Sequence, residues 1–265
     1  MNVPTLLFDC DGVLADTERF GHLPAFNQTF AEAGIPVNWS DSDYAEKVLI
    51  GGGKERMASI FTPDFVARNS LPADSEGQRE LLANLHRRKT AIYTELVEAG
   101  AMPARPGIAR LVGEAIAAGF TLAVASTSAE QSVRAVLTHA VGSARASTFR
   151  VFAGDMVAAK KPAPDIYLLA LAELGVEADD AVVIEDSANG LRAALGAGLR
   201  TIVTVSSYTR EEDFVGAALV VSSLGDPNDH SEILAAAAGI TPAEYVRIDD
   251  VVALLTTPPP TLENT

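Results

Sequence analysis

Short apolar runs without polar interruptions constrain the fold of this chain more than any other feature of its 265 residues. Runs of this kind are typical of strands buried on both faces, as in a parallel sheet, whereas half-exposed strands alternate. Stretches with helical periodicity separate the later runs, and this alternation predicts right-handed crossovers between parallel strands. The sequence therefore predicts an α/β fold with a Rossmann-like parallel sheet as its core. The runs occupy residues 5–8, 120–125, 181–184 and 201–205, and weaker ones occupy 149–152 and 218–221.

The segment between the first two runs follows a different pattern. From about residue 18 to about residue 101, apolar residues recur at helical spacing, and proline and glycine punctuate them. The simplest explanation is a helical domain inserted after the first strand. We therefore predict a core domain formed by residues 1–16 and 101–265, and a helical-bundle cap domain formed by residues 17–100.

Charge and composition exclude several classes of partner. The 35 acidic and 20 basic residues give a formal net charge of −15 and a pI near 4.6, which disfavours a nucleic-acid partner. The longest uncharged stretch, residues 115–129, is too short to span a bilayer, so we expect no membrane partner. The start of the chain has no basic cluster, so we expect no secretory signal. The single cysteine, Cys10, excludes an internal disulfide and a multi-cysteine zinc site.

Two carboxylates lie where the first apolar run ends. Asp9 and Asp11 follow that run directly, and Gly12 turns the chain. In an open parallel sheet, ligands bind at the carboxyl ends of the strands. A calcium loop is excluded because Gly12 is the fourth residue rather than the sixth, and Phe20 occupies the twelfth position. The pair alone leaves a catalytic site and a turn with two solvated aspartates as open alternatives.

A second acidic pair, Glu185 and Asp186, follows the run at residues 181–184. Helix capping by Asp186 or Ser187 is the ordinary explanation of such residues. However, carboxylates that meet at one sheet edge repel each other unless a cation lies among them. Oxygen ligands without cysteine favour Mg²⁺, so the two acidic pairs together predict a Mg²⁺ site.

Two further polar motifs follow other runs. Ser126, Thr127 and Ser128 follow the run at 120–125, and Lys161 follows the run at 149–152. Helix capping and solvent exposure are the ordinary explanations, but a hydroxyl beside helix-start N–H groups also binds phosphate. An aspartate pair, a hydroxyl, a lysine and an acidic pair at successive strand ends predict a phosphoryl-transfer site. The glycine-rich residues 51–56 do not form a P-loop, because Glu55 stands where serine or threonine must follow the lysine.

On these four motifs the sequence resembles the haloacid dehalogenase superfamily over nearly its whole length. The resemblance implies a phosphatase in which Asp9 is the nucleophile and Asp11 is the general acid and base. The other implied roles are phosphoryl-group binding by Ser126 and Lys161, Mg²⁺ binding by Asp9, Asp11 and Asp186, and orientation of Lys161 and metal-bound water by Glu185.

The helical insertion resembles the cap of the subgroup that contains β-phosphoglucomutase, phosphoglycolate phosphatase and CbbY. Residues 16–27, 51–56 and 221–226 look most like CbbY proteins, which dephosphorylate xylulose bisphosphate. The resemblance therefore implies a phosphatase of small sugar phosphates, with xylulose-1,5-bisphosphate as the preferred substrate. Two departures disfavour a mutase: Gly21 stands where the mutase has a cap histidine, and Ala129 where it has a phosphate-binding lysine.

Other functions stay open at this point. They are a β-phosphoglucomutase or phosphoglycolate phosphatase of the same fold, and a non-catalytic phosphometabolite-binding protein. We expect a cytoplasmic monomer, or a protein of the plastid stroma if the source is a plant and a transit peptide has been removed. Because the net charge repels an anionic sugar, local cations must bind it. The candidate substrate-binding residues are Glu18, His22, Lys54, Arg56, Lys89 and Thr127, with Arg88 as a further cap cation.

Overall fold

Seven strands form one sheet in the computed structural model, which describes residues 3–50, 52–237 and 242–257. In chain order they are β1 (Thr5–Phe8), β2 (Thr121–Ala125), β3 (Arg150–Phe152), β4 (Ala181–Glu185), β5 (Arg200–Thr204), β6 (Leu219–Val221) and β7 (Ile233–Ala236). Their order across the sheet is β3-β2-β1-β4-β5-β6-β7. Every neighbouring pair from β3 to β6 is parallel. The predicted α/β fold with a parallel-sheet core is therefore confirmed.

Burial on both faces explains the continuous apolar runs. Every residue of β1, β4 and β5 is buried. Strand β1 pairs with both β2 and β4, so that Phe8 lies opposite Val124 and Ile184. Because these three strands end nearly level, the residues that follow them lie at one edge of the sheet.

Strand β7 was not predicted from the sequence. It pairs antiparallel with β6 at the edge of the sheet, with an irregularity between Val220 and Val221. Ile233 is 43% exposed, and β7 is largely accessible to solvent. Its sequence, Ile-Leu-Ala-Ala, is apolar although the strand is largely exposed, and alanine favours helices over strands, so the sequence does not indicate a strand here.

The chain divides by its contacts into two compact units. The core unit comprises Met1–Asp16 and Met102–Thr265, and the cap unit comprises Thr17–Ala101. The cap unit contains a π-helical turn (Glu18–His22) and α1 (Leu23–Glu32), α2 (Asp41–Lys47), α3 (Gly53–Ala58), α4 (Pro63–Arg68) and α5 (Ser75–Glu98). The core unit contains α6 (Ile108–Ala117), α7 (Glu130–Val141), α8 (Ser143–Ala146), α9 (Asp165–Leu174), α10 (Ala188–Gly196), α11 (Ile248–Leu255) and a 3₁₀ turn (Ala178–Asp180).

Each unit has its own apolar interior. In the core unit, Leu7 and Val183 of the sheet pack with Ile166 and Tyr167 of α9. In the cap unit, Trp39 makes edge-to-face contacts with Phe26 and Phe30 of α1, with ring centroids 5.3 and 5.0 Å apart. Within the described part of the chain, no helix combines the length and the apolar character needed to cross a membrane.

Candidate active site

The site is built where β1, β2 and β4 end. Asp9 follows β1, and its backbone N–H donates to the carbonyl of Ile184 in β4 at 2.9 Å. Ser126 follows β2, and its N–H donates to the carbonyl of Phe152 in β3 at 3.0 Å. The sheet ladder thus continues for one residue past each strand, and it fixes the backbone beneath the polar side chains.

Lys161 joins three of these strand ends. Its Nζ donates to Oδ1 of Asp9 and to Oε1 of Glu185, each at 2.7 Å, and to the carbonyl of Ala125 at 2.9 Å. The side chain of Lys161 is 9% exposed and that of Glu185 is 1% exposed. A buried cation therefore joins Glu185 to the predicted nucleophile, Asp9, although the two residues are far apart in sequence.

Three carboxylates, including that of Asp9, converge at these strand ends. Side-chain oxygens of Asp9, Glu185 and Asp186 lie within 4.8 Å of one another, and all three residues are buried. Burial is the largest cause that raises the pKa of Asp9 from 3.8 to about 7; Lys161 opposes the shift, and Glu185 and Asp11 add to it. The pKa of Asp186 is raised well above its usual value, mainly by burial and then by Asp9 and Glu185.

This set of ligands fits a hard divalent cation. Lys161 pairs with Asp9 and Glu185, and the guanidinium of Arg105 acts on Asp186, so that three carboxylates face two cations among the groups described. Carboxylate oxygens are the ligands that Mg²⁺ prefers. A divalent ion among them would balance the charge that burial otherwise penalises.

Tyr167 is a site residue that the sequence analysis missed. Its hydroxyl donates to Oε1 of Glu185, and Lys161 Nζ lies 4.7 Å from the centre of its ring. The N–H of Asp186 donates to the other oxygen of Glu185 at 3.2 Å. In the sequence, Tyr167 is one more apolar position of a buried helix, and only the folded structure shows that its hydroxyl reaches a strand end.

Two glycines allow the carboxylates to approach the backbone. Gly12 has φ = +78°, and a Cβ built on it would lie 1.9 Å from Oδ2 of Asp186. A Cβ on Gly190, near the start of α10, would lie 2.0 Å from Oε2 of Glu185. No other residue type fits at these positions without displacing a carboxylate, since contacts below 3.0 Å are essentially never seen for a real Cβ.

Asp11 is not one of the three clustered carboxylates, although its charge acts on Asp9. Its Oδ2 accepts a hydrogen bond from the hydroxyl of Ser128, and the residue is half-buried. Thr127 lies in the same turn and is half-buried as well. The side chain of Asp11 therefore contacts the turn after β2, and the predicted metal ligand of this residue is its backbone carbonyl.

Arg105 was also missed by the sequence analysis. Its guanidinium donates to the carbonyls of Gly12, Thr204, Val205 and Ser222. These carbonyls belong to the turn after β1 and to the ends of β5 and β6. Arg105 therefore ties the loop that carries Asp11 to two other strand ends.

In the cap unit, Glu18 and Arg56 bind each other. Arg56 Nη1 lies 2.9 Å from Oε2 of Glu18, and the hydroxyl of Tyr44 donates to the same oxygen at 2.5 Å. The Nε and Nη2 atoms of Arg56 donate to the carbonyls of Ile50 and Val48. These contacts hold the loop before α3 against the π-helical turn.

A second pair in the cap unit joins His22 and Lys89. Lys89 Nζ lies 2.6 Å from Nδ1 of His22 and 4.6 Å from the centre of the Phe26 ring. Lys89 is 7% exposed, whereas Lys54 is exposed on α3. Arg88 forms ion pairs with Glu32 and Glu95 at the surface of the unit.

With this geometry in place, the class of protein is clear. The chain belongs to the haloacid dehalogenase-like hydrolase family, which it matches over residues 3–198. It is 31% identical over 226 residues to a phosphoglycolate phosphatase of Rhodospirillum rubrum, covering 83% of this chain and 89% of that protein. These matches show a hydrolase of the phosphatase type, and the predicted family is confirmed.

The more similar relatives are CbbY proteins. The chain is 44% identical over 241 residues to a CBBY-like protein of Arabidopsis thaliana, covering 91% of this chain and 75% of that protein. The crystal structure of CbbY from Rhodobacter sphaeroides in complex with phosphate matches with a TM-score of 0.68 and 43% identity, covering 84% of this chain and 95% of that one. An aspartate-to-asparagine mutant of the same protein, in complex with xylulose-(1,5)bisphosphate, matches with a TM-score of 0.67 at the same identity and coverage.

Proposed function

We propose that this chain is a Mg²⁺-dependent phosphatase of small sugar phosphates that acts through a phosphorylated Asp9. The observation that carries the proposal is the contact of Lys161 Nζ with both Asp9 and Glu185, at 2.7 Å, beside Asp186. A carboxylate, a buried ammonium and two further carboxylates at one sheet edge are the groups that phosphoryl transfer requires.

The first step transfers the phosphoryl group to the protein. A carboxylate oxygen of Asp9 bonds to phosphorus while the ester P–O bond breaks, and Asp11 gives a proton to the departing sugar oxygen. Lys161 and Ser126 bind the oxygens of the transferring group, because negative charge is spread over all three of them. Lys161 is held in place for this by Glu185 and by the carbonyl of Ala125.

The second step returns the protein to its starting state. Asp11 takes a proton from a water molecule as the water oxygen bonds to phosphorus. The bond between phosphorus and the Asp9 oxygen breaks, and inorganic phosphate leaves. Two carboxylates in different environments suit these roles, since Asp9 is buried in the cluster whereas Asp11 is half-buried beside Ser128.

Asp9, Asp186 and the backbone carbonyl of Asp11 are the groups that would hold Mg²⁺. When bound there, the ion supplies positive charge to the phosphoryl oxygens. Glu185 is engaged by Lys161 and Tyr167, which supports a role as the residue that orients the lysine.

For the substrate we propose xylulose-1,5-bisphosphate. Its support is the similarity to a CbbY protein whose crystal structure holds that compound. In the cap unit, Lys54 is exposed on α3, which suits contact with a second phosphate. Arg56 is bound to Glu18 and Tyr44, and it also donates to backbone carbonyls of the loop before Lys54. We therefore assign it to positioning that loop rather than to contact with the substrate.

A substrate panel tests the proposal. We expect phosphate release from xylulose-1,5-bisphosphate to exceed that from phosphoglycolate and from β-glucose 1-phosphate, and to disappear when Mg²⁺ is chelated. Formation of glucose 6-phosphate would instead indicate a mutase, and binding of these compounds without turnover would indicate a non-catalytic protein. A preference for phosphoglycolate would leave the mechanism intact and contradict the substrate.

The variant Lys54→Ala tests the cap residue. We expect a higher KM for the bisphosphate, by about tenfold, and little change for p-nitrophenyl phosphate, which has no second phosphate. Lys47→Ala, at another cap lysine, is the matched control. Equal effects of Lys54→Ala on both substrates would remove Lys54 from substrate recognition.

A further inference from the structure

Hydrogen bonds fix the backbone of the turn after β2, which carries Ser126, Thr127 and Ser128. The N–H of Ser128 donates to Oγ of Ser126 at 3.1 Å, and the N–H of Ser126 donates to the carbonyl of Phe152. On the other side, Lys161 Nζ donates to the carbonyl of Ala125 at 2.9 Å. The backbone that carries Ser128 is therefore fixed by the same residues that line the phosphoryl site.

The hydroxyl of Ser128 does not cap the helix that follows. A serine just before a helix ordinarily accepts a hydrogen bond from the first turn. Helix α7 begins at Glu130 with Ala129 in the N-cap position, and no side chain caps it. The Ser128 hydroxyl donates instead to Oδ2 of Asp11, which lies 117 positions away in the sequence.

The loop that carries Asp11 is also held. The N–H of Gly12 donates to the carbonyl of Ala15 at 2.8 Å, and that of Leu14 donates to the carbonyl of Cys10 at 2.9 Å. Asp11 and Ala15 form a β-bridge. With its backbone fixed in this way, Asp11 can still rotate its side chain. A hydrogen bond to one carboxyl oxygen restricts that rotation.

We propose that Ser128 is the positioning residue of the general acid and base. By donating to Oδ2 of Asp11, it orients the carboxyl group that gives a proton to the leaving oxygen and later takes one from water. This inference rests on the proposed function, because it requires Asp11 to transfer protons. It adds a role for Ser128, a residue two positions beyond the phosphoryl-binding Ser126.

Leaving-group dependence provides the test. An alkoxide leaving group needs a well-placed proton donor, whereas p-nitrophenolate departs without one. For Ser128→Ala we expect the phosphoryl-transfer step from xylulose-1,5-bisphosphate to slow by about 10- to 100-fold in single-turnover measurements, with KM changed less than about twofold. The initial burst of nitrophenolate from p-nitrophenyl phosphate should keep its rate within about twofold.

Two further variants complete the test. Ser128→Thr keeps a hydroxyl and should restore most of the rate with the sugar phosphate. Ser147→Ala is the matched control. Among the contacts described, the Ser147 hydroxyl donates only to the carbonyl of Ala144 in a helix, so this variant should not change the rate with either substrate. Three outcomes would overturn the inference. They are equal slowing of the reactions of both substrates by Ser128→Ala, slowing of neither reaction by that variant, and failure of Ser128→Thr to restore the rate.

The variant Asp11→Asn separates this inference from the proposed function. If Asp11→Asn does not slow the reaction of the sugar phosphate more than that of the nitrophenyl ester, the assignment of Asp11 as the acid is wrong. If Asp11→Asn selectively slows the reaction of the sugar phosphate and Ser128→Ala does not, the assignment of Asp11 as the acid stands and only the role of Ser128 is wrong.

Discussion

The ammonium nitrogen of Lys161 lies 2.7 Å from Oδ1 of Asp9, and both side chains are close to fully buried. A cation this near would by itself lower the pKa of an aspartate. Burial and the neighbouring carboxylates outweigh it, and the pKa of Asp9 rises to about 7. Lys161 therefore does not fully offset the repulsion among these carboxylates, and a divalent ion bound among them would offset more of it.

Removal of Lys161 should affect stability as well as turnover. In Lys161→Ala, Asp9 and Glu185 lose the cation that pairs with them in a buried site. Breaking a buried pair on one side costs about 3–5 kcal/mol of unfolding free energy, and urea titration of the metal-free protein would measure it. The neighbouring Lys160→Ala is the control, since Lys160 is 51% exposed and pairs with the exposed Asp155, so we expect a change below about 1 kcal/mol. Equal losses in the two variants would contradict the prediction.

Asp9→Asn should abolish turnover and keep the fold. The amide cannot form an acyl phosphate, so we expect kcat to fall by at least about 1,000-fold. Removing one charge from the carboxylate cluster also relieves repulsion, so the metal-free variant should unfold no more easily than the parent protein. Asp155→Asn, at an aspartate whose side chain is 94% exposed, is the matched control for both measurements. Substantial residual phosphatase activity in Asp9→Asn would refute the assignment of the nucleophile.

Mg²⁺ affinity should rise with pH. The pKa of Asp9 is raised above its unfolded value, so between about pH 4 and about pH 7 the folded metal-free protein binds more protons than the unfolded chain and loses stability as pH rises. Mg²⁺ requires the ionised carboxylates, and its binding displaces these protons. From a pKa of about 7 we expect the apparent Kd for Mg²⁺ to fall about tenfold between pH 6 and pH 8, as measured by calorimetric titration. An affinity that stays constant over this range would contradict the prediction.

Gly12→Ala should destabilise the protein more than the left-handed backbone conformation of Gly12 alone would predict. Gly12 and Gly119 share φ = +78°, but a Cβ on Gly12 meets Asp186 whereas a Cβ on Gly119 meets nothing within 4 Å. Gly119→Ala should therefore lose only the ordinary cost of a left-handed residue, about 1–2 kcal/mol. Gly12→Ala should lose more stability in thermal unfolding and should also weaken Mg²⁺ binding, because Asp186 must move. Equal destabilisation by the two substitutions, with Mg²⁺ binding unchanged, would show that the close approach to Asp186 has no consequence.

The sheet was predictable because its evidence is local. Strands buried on both faces must be apolar at every position, so β1, β2, β4 and β5 can be recognised in the sequence without any partner. Strand β7 was not predicted, because it is an exposed edge strand and its alanines favour a helix rather than a strand. The ends of β1 and β4 also mark Asp9 and Asp186 as candidates, because the polar residues that directly follow buried parallel strands lie at the carboxyl edge of the sheet.

The amino-acid sequence by itself determined the class of fold, the succession of polar groups at the strand ends and hence the kind of chemistry. Tertiary structure alone decided which of those groups meet: Tyr167 with Glu185, Ser128 with Asp11, and Arg105 with the carbonyls of three loops. It likewise decided that Arg56 is bound to Glu18 within the cap unit. The reason is that the apolar pattern of a strand buried on both faces is visible in consecutive residues, whereas the partner of a hydroxyl or guanidinium is an atom that only folding brings within hydrogen-bonding distance.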